Sequence, residues 1–300
     1  MLFVFKGDVI RAVKRLVSKG GRYLQNTFQH KAESHLPCGV DVYCYGLQNL
    51  EVSQVDLHLP GLASQFHGKR IVHISDLHCS RTVSMKYLRY CIERINHLDA
   101  DIVVLTGDYV THDIWGEFRK KVITLISDIQ SQLGVYACLG NHDYGIGGVF
   151  GSLREHQMHR IIRDMTNCGV KVLRNGSSAL EIDGESLWFV GLGDLWADDF
   201  EPHKAFADVG TDGPVIALAH NPESVKHLEE FDFDAVMCGH THGIPVQFVT
   251  SFGWPLLNRH DYHAGLYSLG NKKIYVNRGL GRFGRTLFNT RPEITIFNLR

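Results

Sequence analysis

No apolar run in this 300-residue chain approaches the ~20 residues that a membrane-spanning helix requires. Charge of one sign is missing as well. The formal net charge is −1, which argues against a protein built to grip nucleic acid along its length. No extended groove of Lys/Arg and aromatics can be traced through the central region either. The seven cysteines are scattered, odd in number and never spaced as CxxC, so they form neither a disulfide framework nor the paired thiolates of a structural zinc site. Cys138 and Cys238 lie inside apolar runs and read as small buried hydrophobes, which suits a reducing interior such as the cytosol. Repeats and linkers are also lacking, so the strands and helices after residue 49 are expected to form one α/β domain, 50–300.

The first 49 residues have a different character. Val9, Ile10, Val13, Leu16 and Val17 fall on one helical face, while Lys6, Arg11, Lys14, Arg15, Lys19 and Arg22 fill the other positions, with Asp8 the one acid as far as Lys31. The apolar stretch is too short and too interrupted by charge for a signal peptide. Residues 1–49 are therefore read as a basic amphipathic segment for an anionic membrane surface, placing the protein peripherally on the cytoplasmic face of the inner membrane. The alternative is a helix packed on the domain with a solvated basic face.

Strand-like runs then alternate with helical patterns. Leu50 to Leu59 alternates apolar and polar residues, and Pro60-Gly61 ends it. Arg70–Ser75, Asp101–Thr106, Val135–Leu139, Ser186–Leu192, Pro214–Ala219 and Asp234–Cys238 are short apolar strands. Helices are predicted around Tyr87–Leu98, Phe118–Ile129 and Leu153–Cys168, the last capped by Gly169. Gly145 to Gly151 reads as a loop. Tyr267, Ile274–Val276 and Ile294–Phe297 are expected as closing strands of a second sheet. Phe252, Trp254, Leu256 and Leu257 admit two readings, an acyl-facing lip or a buried hairpin.

Eighteen histidines form no tract; many recur where strands end. Five strand ends carry Asp76/His78, Asp108, Asn141/His142, His220 and His240/His242. Each alone has a bland explanation, an Asp as a helix cap or a His as a satisfied polar group. Together they form a constellation with the ligand mixture of a dinuclear centre, in which two divalent ions about 3.5–4 Å apart clamp a phosphoryl group. Such a pair needs a shared carboxylate, and Asp108 is the candidate. Imidazoles suit Mn, Fe and Zn while carboxylate and amide oxygens suit harder ions, so two divalent ions are expected, Mn²⁺ first, with Fe, Zn or Mg open.

Asp76-x-His78, Gly107-Asp108, Gly140-Asn141-His142-Asp143, His220 and Gly239-His240-Thr241-His242 together resemble the signature of the calcineurin-like metallophosphoesterases, from about Arg70 to Gly243. The resemblance implies a four-layer α/β/β/α sandwich of two mixed β-sheets. It also implies roles: Asp76, His78 and His242 on one metal, Asn141, His220 and His240 on the other, Asp108 bridging, and His142 acting on the leaving oxygen or steadying the transition state. Phe66–Val72, Gly134–Ala137, Asp194-Leu195-Trp196, Asn277–Gly281 and Arg291–Ile294 resemble the bacterial membrane-associated YaeI/YkuE-like branch. Within that branch the chain is similar to UDP-2,3-diacylglucosamine pyrophosphatases of the LpxG type, which act in lipid A synthesis. One departure is Ile244-Pro245 after Gly243, where the branch often has Gly-Gln. The expected partners are thus a lipid-linked nucleotide sugar and an anionic membrane surface, with no nucleic acid and no obligate protein partner. A phosphodiesterase or phosphatase for another soluble or phospholipid substrate is the enzyme alternative. A non-catalytic interaction module on the same fold is the alternative of another class.

Overall fold

The structure is a computed structural model that describes residues 50–111, 113, 116–145, 154–244, 246–251, 254–259, 261–281 and 290–300; for 154–156, 246–251 and 254–259 the backbone alone is described. The basic segment 1–49, the Gly-rich loop beyond Gly145 and Phe252 lie outside the described residues.

Runs of apolar residues too long for a half-exposed strand build the centre of the first sheet. β2 (Arg70–Ile74), β3 (Ile102–Thr106) and β4 (Gly134–Cys138) pair in parallel, in a register that sets Ile74 beside Leu105 and Thr106 beside Cys138. Their carboxyl ends therefore finish along one edge. Helices make the crossovers: α1 (Met85–Asn96) between β2 and β3, and α2 (Glu117–Ser127) between β3 and β4. The Ser84 hydroxyl accepts the Tyr87 N–H to start α1, whose buried face is Tyr87, Leu88, Cys91, Ile92 and Ile95. α3 (Arg154–Asn167) leads through Gly169, at φ 84°, into the three-residue edge strand β5 (Val170–Val172). The first sheet is completed by β1 (Glu51–Leu57) and by β14 (Glu293–Leu299), in the order β1-β14-β2-β3-β4-β5.

The second sheet has six strands too. β6 (Gly176–Ile182) and β7 (Glu185–Gly191) form a hairpin, and β7, β8 (Val215–Leu218) and β9 (Ala235–Cys238) pair in parallel. β12 (Gly265–Leu269) and β13 (Lys272–Val276) close the other side, as the sequence predicts for Tyr267 and Ile274–Val276. The inner faces of the sheets share one core, with Ile71, Val104, Tyr136, Cys138 and Phe297 from the first and Leu187, Phe189, Ile216, Met237 and Tyr275 from the second. Tyr136 stacks on Phe189 with ring centroids 4.2 Å apart. The outer face of the second sheet, including Val190, Ala217, Val236 and Cys238, packs with Val225, Leu228, Phe231, Phe233 and Ala205. Ala205 comes from the one-turn α4 (Pro202–Ala205), and Val225 from the 3₁₀ turn Pro222–His227. This is the four-layer α/β/β/α sandwich. Cys138 and Cys238 are buried in it, as expected.

One expectation fails. Ile294–Phe297 does not close the second sheet; it lies in the first, parallel to β1 and antiparallel to β2. A buried carboxylate at its start accounts for the placement. Glu293 accepts Ser53 Oγ at 2.6 Å and Tyr275 Oη at 2.9 Å, and Arg278 Nε lies 3.1 Å away, tying β14 to β1 and to the end of β13. Val246–Ser251 (β10) and Trp254–Arg259 (β11) form an antiparallel ribbon separate from both sheets; the choice between a lip and a buried hairpin turns on side chains outside the described ones. Among the described residues no helix is long and apolar enough to cross a membrane.

Burial pushes the Glu293 carboxyl up, but Arg278 and Ser53 outweigh it and hold it below the usual glutamate value. A depressed pKa contributes stability that is complete above the unfolded value, near 4.5, and is lost as pH falls through the lowered one. Glu293→Gln is accordingly expected to destabilise by about 1–3 kcal/mol at pH 7. In urea unfolding the gap to wild type narrows as the pH drops below about 4.5. A pH-independent gap would remove the charge from this account.

Candidate metal centre

Seven side chains of the sequence constellation leave the carboxyl ends of β2, β3, β4, β8 and β9 and meet at one place, and His142 stands beside them. Their backbones are forced. Of nine non-glycine residues with positive φ among the described residues, five are Asp76, His78, Asp108, His240 and His242, at φ 45–73°. Side chains with a β-carbon resist this region, and strain of that kind gathers where function over-rides local preference. Pairing of neighbouring loops holds it in place: Asp76 N donates to Gly107 O, His78 N to Asp108 O and Cys79 N to Tyr109 O, each at 2.9 Å. Gly107, at φ 87°, marks a close approach of two loops, since a β-carbon there would stand 2.3 Å from Gly140 N.

Three overlapping groups have donor atoms within 4.8 Å of one another: Asp76/His78/His242, His78/Asp108/His142 and Asp76/Asp108/His220. His78 Nε2 and His242 Nε2 face each other at 3.1 Å. On the other side His240 Nδ1 lies 3.1 Å from Asn141 Oδ1 and 3.3 Å from His220 Nε2. Between these sets sits Asp108, whose Oδ2 is 3.5 Å from His78 Nε2 and 3.2 Å from His220 Nε2. A single oxygen thus faces both, the position that a bridging carboxylate needs. Its other oxygen accepts the His142 N–H at 2.9 Å.

The donors fit a cation better than they fit one another. Asp76 Oδ1 is fully buried and accepts no hydrogen bond, yet the Nε2 atoms of His242, His78 and His220 surround it at 3.5, 3.7 and 4.0 Å. An orphaned carboxylate oxygen costs several kcal/mol in a protein interior unless a positive charge meets it, on the order of the penalty for any buried ion. Tautomers are set from behind. His220 Nδ1 donates to Thr106 O at 2.6 Å, which directs the Nε2 lone pair of a neutral ring towards the centre. The Thr111 hydroxyl lies 3.1 Å from His78 Nδ1.

Electrostatics agree. Burial pushes the Asp76 and Asp108 carboxyls up, but His242 and His220 beside Asp76, and His220 and His142 beside Asp108, hold both well down, so both are ionised. Burial lowers His240 to about 3 and His242 to about 4, leaving neutral rings with lone pairs to give. Burial also lowers His142, whose Nδ1 donates to Thr111 O at 2.9 Å. Burial disfavours charge on His220 as well, yet Asp108 and Asp76 hold a proton on it. A divalent ion would take that proton's place.

Two supports escaped the sequence reading. Thr111 touches both His78 and His142. The Asp143 carboxylate accepts the N–H groups of Asp108 (2.8 Å), Tyr109 (2.9 Å) and Gly140 (2.9 Å), clamping two motif loops together. Burial and Asp108 push it up to about 7, against those donors. Asp143 was visible in its tetrapeptide, but nothing in sequence says that two of its partners lie 34 and 35 residues away.

The sequence model of the family described as calcineurin-like phosphoesterase matches residues 69–243. The chain is 30% identical over 298 residues to UDP-2,3-diacylglucosamine pyrophosphatase LpxG of Chlamydia trachomatis, covering 82% of this chain and 88% of that protein. Phosphodiesterase YaeI of Escherichia coli is 32% identical over 236 residues, with 77% and 82% covered. The uncharacterized metallophosphoesterase YkuE of Bacillus subtilis is 31% identical over 242 residues, with 78% and 80% covered.

Proposed function

This chain belongs to the calcineurin-like phosphoesterases and is a phosphoester hydrolase; from that premise we propose that it cleaves the pyrophosphate of UDP-2,3-diacylglucosamine to UMP and 2,3-diacylglucosamine 1-phosphate, a step of lipid A synthesis. The observation carrying the chemistry is the Asp108 oxygen set between two groups of ligands. Support for the substrate is the likeness to LpxG over most of both chains.

In this reading Asp76, His78 and His242 would hold one divalent ion, and Asn141, His220 and His240 the other, with Asp108 shared. The ions, Mn²⁺ by the mixture of nitrogen and oxygen donors, would supply Lewis acidity and positive charge to the phosphoryl group. The chain's own residues do the rest. Thr106 and Thr111 hold ligand rings in orientation. Asp143 keeps the Asp108 and Asn141-His142 loops at fixed separation. His142 is oriented by Thr111 O through Nδ1, and in this reading its Nε2 serves the substrate. Burial keeps the ring neutral at rest, and the negative charge of an arriving phosphoryl group favours its protonated form, which can give a proton to the leaving oxygen.

The direct test is mass spectrometry of the products from purified protein and UDP-2,3-diacylglucosamine. UMP with the lipid 1-phosphate supports the reading; an untouched lipid, with an aryl phosphodiester still cleaved, transfers it to the general phosphodiesterase that the name of YaeI suggests. Lack of turnover on either would leave an interaction module.

The diacylated substrate keeps its acyl chains in a bilayer, so the enzyme must work at a surface. The sequence pattern of residues 1–49 supports peripheral binding to the anionic cytoplasmic face, each basic residue contributing about 1 kcal/mol near such a surface. Deleting Met1–Gly21 is expected to weaken binding to anionic vesicles and turnover of the lipid substrate, while a small soluble phosphodiester is cleaved as before. Vesicle co-sedimentation and both assays check this. Undiminished vesicle binding and lipid turnover would sink the membrane role of that segment.

A further inference from the structure

Trp196 is one of three large apolar side chains that the described residues leave exposed, at 43%. It is the one of the three that touches the metal centre. Its ring meets His240 edge-on, with centroids 4.4 Å apart and planes at 88°. The sequence singled out Asp194-Leu195-Trp196 as a motif, and the proposed chemistry leaves it without a task.

The turn that carries the indole is held firmly. Asp194, 1% exposed just past β7, accepts the backbone N–H of Trp196 at 2.9 Å and that of Ala197 at 3.0 Å through one oxygen. The same loop is tied down again at Asp199, whose backbone O accepts Asn175 Nδ2 at 2.6 Å and whose carboxylate pairs with Arg174 and accepts the Tyr144 hydroxyl at 2.6 Å. Tyr144 follows His142 by two residues, so this loop and the His142 loop are bound to each other. An indole left in water forgoes the stabilisation of burial, and a rigid turn that presents one beside a metal ligand is a pre-built contact surface.

We propose that Trp196 is a specificity residue that receives the nucleobase of the substrate's nucleoside phosphate against its ring, while the phosphate lies at the metal centre. The assignment deepens the pyrophosphatase reading and rests on it. Every base has a π-face, and stacking on an aromatic side chain changes affinity by about 5- to 150-fold. An acyl chain has no flat face for an indole to match.

The test compares wild type, Trp196→Ala and Trp196→Phe, each loaded with Mn²⁺, by calorimetric titration with UMP, ribose 5-phosphate and inorganic phosphate. Trp196→Ala is expected to weaken UMP binding roughly 10-fold, with the two ligands that lack a base changed less than about two-fold. Trp196→Phe keeps most of the UMP affinity. An unchanged UMP affinity, or equal loss for all three ligands, overturns the assignment. The readout is binding rather than turnover, so the two readings fail separately. Loss of UMP discrimination in Trp196→Ala, with no hydrolysis of UDP-2,3-diacylglucosamine by wild type, sinks the pyrophosphatase and keeps the platform.

Discussion

Asp108→Asn is expected to lower turnover on the order of 10³-fold and to weaken both ion sites together. The substitution keeps size and hydrogen-bonding shape, so the fold should survive. What it removes is one negative charge, and that charge sits between the two groups of ligands, with Oδ2 3.5 Å from His78 Nε2 and 3.2 Å from His220 Nε2. A carboxylate serving one ion only would cost that ion alone when replaced. Metal content after dialysis, measured beside kcat, separates the cases. Near-normal turnover with two ions retained would strip Asp108 of the bridging role.

His142 gives the complementary result. His142→Ala should keep both ions and lose activity by a factor of about 10²–10⁴, the range for a side chain that moves a proton in the transition state. The separation is possible because His142 reaches the centre differently from the ligands. Its ring is held by Thr111 O and its N–H by Asp108 Oδ1. Its Cβ truncation leaves the backbone bond to Asp108 in place. Since burial lowers its pKa, the rate limb that depends on protonated His142 falls as pH rises, and that limb should vanish in the variant. Loss of an ion with His142→Ala would make it a ligand and redraw the division of roles.

Much of this was legible because parallel strands advertise themselves. Runs such as Ile102–Thr106 and Val215–Leu218 are apolar throughout, and the residues just past them are chemically odd for loop starts. Asp76, His78, Asp108, Asn141, His142, His220, His240 and His242 could be picked out by that position alone. What stayed hidden depends on distances across the sequence. The sheet that Ile294–Phe297 joins is decided by Glu293 reaching Ser53, 240 residues earlier, which no local period records. β5 has only three residues, and β6 carries Ser177 and Ser178 at its start, so neither has an apolar pattern to read. Thr111 and Asp143 act through backbone atoms and ring nitrogens of other loops, and the residue type alone predicts a turn. The positive φ at five ligands is the opposite case: local propensity disfavours it, and the site over-rides propensity there.

The central claim is that one site on this chain holds two ions about one shared carboxylate and that phosphoester hydrolysis depends on them. Titrating chelator-treated protein with Mn²⁺, while following both heat and cleavage of an aryl phosphodiester, addresses it most directly. The account predicts two ions bound per chain in wild type, no turnover in the stripped protein, and turnover that returns as the second ion binds. Full turnover in protein stripped of metal, or two ions bound equally well by Asp108→Asn, would contradict it.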